Sequence, residues 1–337
     1  MKDCTPFENG KRYYPLSQHY RERFGEKVYK VSVSVAESCP NREGHNGMTV
    51  CIFCDEWGSA AYHKFSDLPI LKQIQINREA IRKRYKAEKF LIYFQAYTNT
   101  FGHFRDLETL YRKALKEKDV VGLVVGTRPD CLPKRILHKF AELSKEQYLS
   151  VELGAQTFDD HQLNFLSRGH DSATSIEAIR KLKTLQNVNI CVHLMFGLPN
   201  ENDLQIQETA KLLSELEVNG VKLHNLHVLR NTALEKLFHE SKFIPIELEE
   251  YARRVTIFLE NLSPKIAVHR LAAVASRWDQ LVAPSWTREK MRPAQFIDDF
   301  LEANQTWQGR YFYVCLLYTS DAADDTPCVD LGGRRII

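Results

Sequence analysis

Three cysteines in one short stretch have the residue type and the spacing to do chemistry. Cys39, Cys51 and Cys54 stand as C-x11-C-x2-C in CPNREGHNGMTVCIFC. Three thiolates make an incomplete cage. A structural zinc takes four ligands, and an ordinary electron-transfer [4Fe–4S] cluster takes four cysteines. Three readings stay open on spacing alone. His45 inside the loop, or His63 beyond it, completes a zinc site. Alternatively, three cysteines hold a four-iron cluster and leave one iron open to a further group. In the plainest reading they are free thiols in a loop. The other cysteines, Cys4, Cys131, Cys191, Cys315 and Cys328, are scattered and read as small buried or incidental residues.

The elements that must position this loop form a β-then-α series. Strand patterns cover residues 28–35, 90–95, 120–126, 148–153, 189–196 and 220–228, each short, mostly apolar and rich in β-branched or aromatic residues. Helical patterns lie between them at 68–87, 107–118, 133–143, 172–185 and 203–216. Six such units imply an α/β protein with a parallel sheet, either open or closed as part of a (β/α) barrel. In both cases a site lies at the C-terminal strand ends. The cysteine loop leaves the first strand at that end. Residues 95–99 leave the second, 126–130 the third, 154–157 the fourth and 197–199 the fifth. The division expected is an N-terminal segment at 1–27, a barrel at 28–229 and a C-terminal α/β extension at 230–313 that covers the open side or end. Residues 314–337 shift composition abruptly and carry no period, so they read as non-native or disordered sequence.

Composition narrows the class. With 337 residues, 44% hydrophobic and 26% charged, the chain has a globular profile. A net charge of +3 is too small to argue for nucleic acid. No apolar run is long enough to span a bilayer, and residues 1–30 lack the apolar core of a signal peptide. A cytoplasmic location is expected. In a reducing compartment, clustered cysteines more often bind metal than form disulfides. The basic run at 78–86 reads as a solvated helix face rather than an RNA contact.

Seven runs carry a family resemblance: the cysteine loop, YFQAYTNTF (93–101), VGTRPDCLP (125–133), ELGAQT (152–157), LSRGHD (166–171), HLMFGLPNE (193–201) and VKLHNLHVLRNT (221–232). In this order, over about residues 21–284, the chain resembles the YhcC-like family of radical S-adenosylmethionine (SAM) proteins. More broadly it resembles the group holding methylthiotransferases and the elongator-type radical SAM domain. The common loop of that group is C-x3-C-x2-C. The longer spacing here is similar to the YhcC-like loop, with Met48-Thr49-Val50 in place of a glycine-rich stretch. The resemblance implies a partial (β/α)6 TIM-like barrel. It also implies a [4Fe–4S] cluster on Cys39, Cys51 and Cys54, and SAM on the open iron. Reductive cleavage of SAM then gives a 5′-deoxyadenosyl radical that abstracts hydrogen from a substrate the sequence does not name. An electron donor such as flavodoxin or ferredoxin is implied as partner.

The resemblance also assigns roles. Phe53 flanks the adenine. Gln95, Tyr97 and Thr98 lie where the methionine amino group is bound, through backbone carbonyls because Gly-Gly-Glu is absent. Gln156 contacts ribose, Arg168 pairs with the SAM carboxylate, and Gly197 and Pro199 form a turn against adenine. Gly154 and Gly197 are equally consistent with turn glycines, and Arg168 with a surface ion pair. No residue is marked as catalytic. His224 and His227, three apart on one strand, point to opposite faces, so at most one faces a barrel interior. The segment Thr127–Asp130 either binds substrate or shapes a turn, with Asp130 as a possible cap for the helix that Pro133 opens. The rim lacks a second cysteine cluster, which argues against a methylthiotransferase. The competing reading of the whole chain is a zinc-stabilised α/β protein that binds nucleic acid or a protein partner.

Overall fold

The computed structural model describes residues 7, 10–35, 38–55, 65, 67–95, 97–102, 104–275 and 278–312. His63, Cys4 and the segment from residue 313 onward, with Cys315 and Cys328, lie outside the described residues.

Six strands follow one another in the order of the chain: β1 (Val28–Val33), β2 (Lys89–Phe94), β3 (Val120–Thr127), β4 (Tyr148–Gln156), β5 (Val188–Phe196) and β6 (Gly220–Asn225). A short β7 (Val228–Leu229) comes next, then β8 (Ala267–Arg270) and β9 (Leu281–Ala283). The main sheet has the order β1-β2-β3-β4-β5-β6-β8, and every pairing in it is parallel. Strands β7 and β9 form a separate antiparallel pair. Neighbours in sequence are neighbours in space, so the sheet curls in one sense into a partial barrel with helices outside. These are α2 (Ile70–Tyr85), α3 (Phe104–Leu115), α4 (Lys134–Glu146), α6 (Ser172–Lys183) and α7 (Asp203–Glu215).

The two faces of each strand carry different chemistry. Val31, Ile92, Phe94, Leu123, Val125, Val151, Leu153 and Val192 are buried in one core under the helices. The alternate positions face the barrel interior and are often polar. The register sets Ser32 beside Tyr93, Gly126 beside Glu152, and His193 beside Lys222. One end of this interior is plugged by α1 (Leu16–Phe24), whose Tyr20 packs with Val28, Leu91, Tyr93 and Val124. Phe24 and Tyr148 meet edge to face at 5.1 Å.

Segments after Leu229 continue the sheet and its outer layer, with β8 parallel to β6 and α9 (Leu248–Asn261) packed beside α7. Helices α8 (Ala233–His239), α9 and α10 (Arg292–Ala303) follow, and α9 presents Tyr251, Val255, Phe258 and Leu259 to the main core. The sequence over 247–262 carries the amphipathic stripe of such a helix. Among the described residues no helix is long and apolar enough to cross a membrane. The basic face of α2 is partly used in ion pairs: Arg78 meets Glu117 at 3.4 Å and Arg82 meets Asp119 at 3.1 Å.

Two local expectations are corrected. Asp130 does not cap α4: its carboxylate is engaged by Arg128 through Nε and Nη2, both at 2.9 Å, and the helix opens after Pro133 with no side-chain cap. The sixth strand stops at Asn225 rather than running to residue 228. The chain then turns back, with Leu226 N–H donating to Phe196 C=O at 2.9 Å.

Candidate active site

The cysteine loop lies over the C-terminal end of the barrel and is tied down at several points. Ile52 N–H donates to Leu166 C=O, and Ile52 C=O accepts from Leu234 N–H at 2.9 Å. Asn41 Nδ2 donates to Thr49 C=O at 2.6 Å and to Ser167 C=O at 2.8 Å, while its Oδ1 accepts from Arg128. Arg128 is 4% exposed and also donates to Arg168 C=O at 2.6 Å. Sequence reasoning left Arg128 between substrate binding and turn shaping. It is a strut that joins the third strand end to the cysteine loop and to the 166–171 turn.

That turn is built locally. Asp159 caps α5 (Asp160–Phe165) through Gln162 N–H, and Asp171 caps α6 through Thr174 N–H. Between the two helices, Ser167 and Gly169 take positive φ of 56° and 71°. Arg168 is thereby turned inward, 7% exposed. Its Nη1 donates to Cys51 Sγ at 3.4 Å and its Nη2 to Gly154 C=O at 2.8 Å, while Nε has no partner. Arg42 Nη2 meets Cys54 Sγ at 3.7 Å, and the Arg42 guanidinium lies 5.3 Å over the Tyr97 ring. A Cβ at Gly154 would lie 2.9 Å from Gln156 Nε2, so a larger residue there would displace the Gln156 amide.

A cavity of about 330 Å³ runs beneath this loop into the barrel. Cys39, Cys51, Cys54, Phe53, Gln95, Tyr97, Thr98, Gln156 and Arg168 all line it. Gln156 holds a strained φ of 72°. Gly197 and Pro199 do not line it. Gly197 sits at φ 87° where a Cβ would lie 2.7 Å from Ile246 Cγ2, and Pro199 C=O accepts from Gln162 Nε2 at 3.3 Å. His224 and His227 both line the cavity, against the expectation that at most one would. Alternation ends with β6 at Asn225, so the strand rule no longer governs His227.

Sequence reasoning missed the interior layer below. Glu152 is fully buried and accepts from Tyr93 Oη at 2.7 Å, His193 Nε2 at 2.7 Å and Lys222 Nζ at 2.9 Å. Lys30 pairs with its other oxygen, and His269 Nδ1 lies 3.6 Å away. The ammonium groups of Lys222 and Lys30 hold this carboxyl well below its ordinary range despite its burial. Burial pushes His193 and His227 down to about 4 and Lys222 down to about 8. The one signal in the sequence was polar residues at alternate positions of otherwise apolar strands.

The donor set fits an iron–sulfur group, which takes cysteine thiolates as ligands. All three cysteines are free thiols, and two of their sulfurs lie within reach of guanidinium N–H donors. His45, the nearer candidate for a fourth zinc ligand, lines a separate outer groove and not this cavity.

Comparison with known proteins agrees with the fold. A family model described as "Radical SAM superfamily" matches residues 33–213, and one described as "Radical_SAM C-terminal domain" matches residues 218–303. The chain is 33% identical to the protein YtqA of Bacillus subtilis over 308 residues, covering 91% of this chain and 95% of that one. It is 33% identical to the protein YhcC of Escherichia coli K12 over 280 residues, covering 83% and 89%. Among solved structures, the Elp3 protein of Methanocaldococcus infernus superposes with a TM-score of 0.63 at 17% identity, over 85% of this chain and 67% of that one. That likeness shows the same partial-barrel fold. A barrel rim that gathers three free cysteines under two guanidinium groups thus belongs to a chain that is a member of the radical SAM superfamily, an enzyme of the YtqA- and YhcC-like group whose cofactors are a [4Fe–4S] cluster and SAM.

Proposed function

We propose that Cys39, Cys51 and Cys54 hold the [4Fe–4S] cluster and that SAM binds at its open iron, within the cavity under the loop. When bound, the reduced cluster supplies the electron that cleaves SAM to methionine and a 5′-deoxyadenosyl radical able to take hydrogen from a substrate. A one-electron donor such as flavodoxin or ferredoxin serves as partner. The observation that carries the reading is the convergence of three free thiols and the Arg168 guanidinium on one cavity at the C-terminal strand ends.

The chain's own residues divide the work. Arg168 and Arg42 neutralise charge at Cys51 and Cys54 and supply N–H donors to sulfur, which raises a cluster's reduction potential. Arg168 Nε, buried and unpartnered, remains available to the SAM carboxylate. Phe53 offers an apolar face for adenine, and Gln95, Tyr97, Thr98 and Gln156 offer polar groups along the second and fourth strand ends. Gly197 and Pro199 act from behind the rim by shaping the turn that packs on Ile246.

Anaerobic reconstitution with iron and sulfide tests the reading. The expected product is a brown protein absorbing near about 400 nm, with about four irons per chain. Cys51→Ala should lose both colour and iron. After reduction, the wild-type protein should release 5′-deoxyadenosine and methionine from SAM. One equivalent of zinc with no cluster, or a loaded cluster that never cleaves SAM, overturns the assignment.

A further inference from the structure

The charged layer inside the barrel does not balance. Three cations, Lys30, Lys222 and Arg270, surround one carboxylate, Glu152. Asp55, the other carboxylate on the cavity wall, follows Cys54, and Arg42 donates to its backbone C=O. Lys30 and Lys222 both bond to Glu152. Arg270 bonds to no carboxylate among the described residues. Its Nη2 lies 2.6 and 2.9 Å from the two ring nitrogens of His224, and its Nε lies 3.4 Å from Leu223 C=O. Burial draws its proton affinity down, as expected for a guanidinium removed from water without a counter-charge.

Other donors on the same wall are also unused. Asn225 is 1% exposed, and its Oδ1 accepts from Ala273 N–H at 3.0 Å. That bond orients the amide and leaves Nδ2 as the free end, with no partner. His227 Nδ1 is buried as well and has no side-chain partner, with the Asn225 backbone beside its ring. All these residues line one cavity with the cysteines. A buried donor without an acceptor is costly, so a set of them beside an uncompensated cation describes the shape of an absent anion.

A metal ion fits less well. Glu152, Cys191 and His193 bring their ligand atoms within 4.8 Å of one another. Two ammonium groups already occupy the carboxylate, and burial pushes the Cys191 thiol up, away from the thiolate that a metal needs. The excess charge is positive, which repels a cation and attracts an anion.

We propose that Lys222, His224, Asn225, His227 and Arg270 form a substrate subsite that binds a carboxylate or phosphate group, anchoring the substrate on the sixth and eighth strands with its reacting carbon toward the cysteine loop. The inference rests on the radical SAM reading for the identity of the other occupant. It is distinct from the SAM carboxylate contact, because Arg168 stands on the 166–171 turn against Cys51 and Arg270 ends β8.

Titration of anaerobically reconstituted enzyme with inorganic phosphate and with ¹³C-acetate, followed by NMR line broadening in the presence of saturating SAM, tests the subsite. The expected result is saturable binding of one of the two, which tells phosphate from carboxylate. Affinity should fall at least about tenfold in Arg270→Gln, the loss expected for one charge-assisted pair, and stay unchanged in Arg84→Gln on the exposed outer helix. If Arg270→Gln does not fold, Arg270→Lys takes its place, keeping the charge but losing the fork, and is expected to bind more weakly. No saturable binding, equal binding by wild type and the Arg270 variant, or loss of binding on adding SAM overturns the proposal. Release of 5′-deoxyadenosine by the same wild-type preparation is read separately. Cleavage without anion binding removes only the subsite, and anion binding without cleavage removes the proposed SAM cleavage.

Discussion

Glu152 shows most sharply how one side chain can organise a barrel interior. It accepts two lysines, a tyrosine and a histidine from β1, β2, β5 and β6. Removing its charge strands two ammonium groups in a site that water barely reaches. Glu152→Gln should therefore lower stability by about 3–5 kcal/mol, the usual cost of breaking a buried pair from one side, as measured by urea denaturation. Arg168 acts at the other end of the cavity. Arg168→Met removes a positive charge and a donor from Cys51 Sγ, so the cluster's midpoint potential should fall in a potentiometric titration followed by EPR. The cysteines and Arg168 could be singled out in the sequence because their motifs are local. Glu152, Lys222 and Arg270 could not, because their partners come from strands up to about a hundred residues or more apart, as with Lys30 and Glu152.

Loops and turns set where those side chains stand. Arg128 fastens the cysteine loop to the 166–171 turn through Asn41 and Arg168 C=O. Arg128→Ala should leave the barrel folded by circular dichroism but lower the iron retained per chain after desalting, since the loop loses its strut. Gly197→Ala forces a Cβ to 2.7 Å from Ile246 Cγ2 at a backbone angle that L-residues avoid. It should cost about 1–3 kcal/mol in thermal denaturation, and Ile246→Ala in the same chain should recover part of that loss. Strand and helix existence was legible from periodicity over 28–216, where the β-then-α alternation is strong. The ends were less so: β4 runs on to Gln156 and β6 stops early at Asn225, because tertiary hydrogen bonds and not propensity decide where a strand ends. Helices α1, α5 and α8 are short or weakly patterned and were not anticipated.

Across the whole molecule, the barrel is a vessel plugged by α1, covered by the cysteine loop and flanked by the segments after Leu229. Tyr20 belongs to the plug, and Tyr20→Ala should cost about 3–5 kcal/mol in denaturation, with the apolar end of the interior opened to water. The interior also makes the fold sensitive to acid. His193 and His227 are pushed down to about 4 and His269 to about 3, and His224 is held well below its ordinary value of 6.5, all chiefly by burial. The unfolded chain takes up these protons first, so stability is fully present above pH 6.5 and declines as pH falls toward 4. Glu152, held well below its ordinary value, adds a further loss below about 4.5. Melting temperature measured from pH 7.5 to 4 should hold nearly level down to about 6.5 and then fall toward 4, and a flat profile throughout would mean that these groups are not buried as described.

Local pattern was enough to determine the α/β class, the parallel pairing of the strands and the rim on which the cysteines stand, because alternation, helical period and short motifs are written within a few residues of one another. Tertiary structure alone decided what fills the barrel. The inner face collects single polar residues from strands far apart in the chain, and only when the sheet curls do Lys30, Tyr93, Glu152, His193 and Lys222 become one network. Electrostatic balance is a property of that assembled set, so the excess positive charge at Arg270 appears only with the fold.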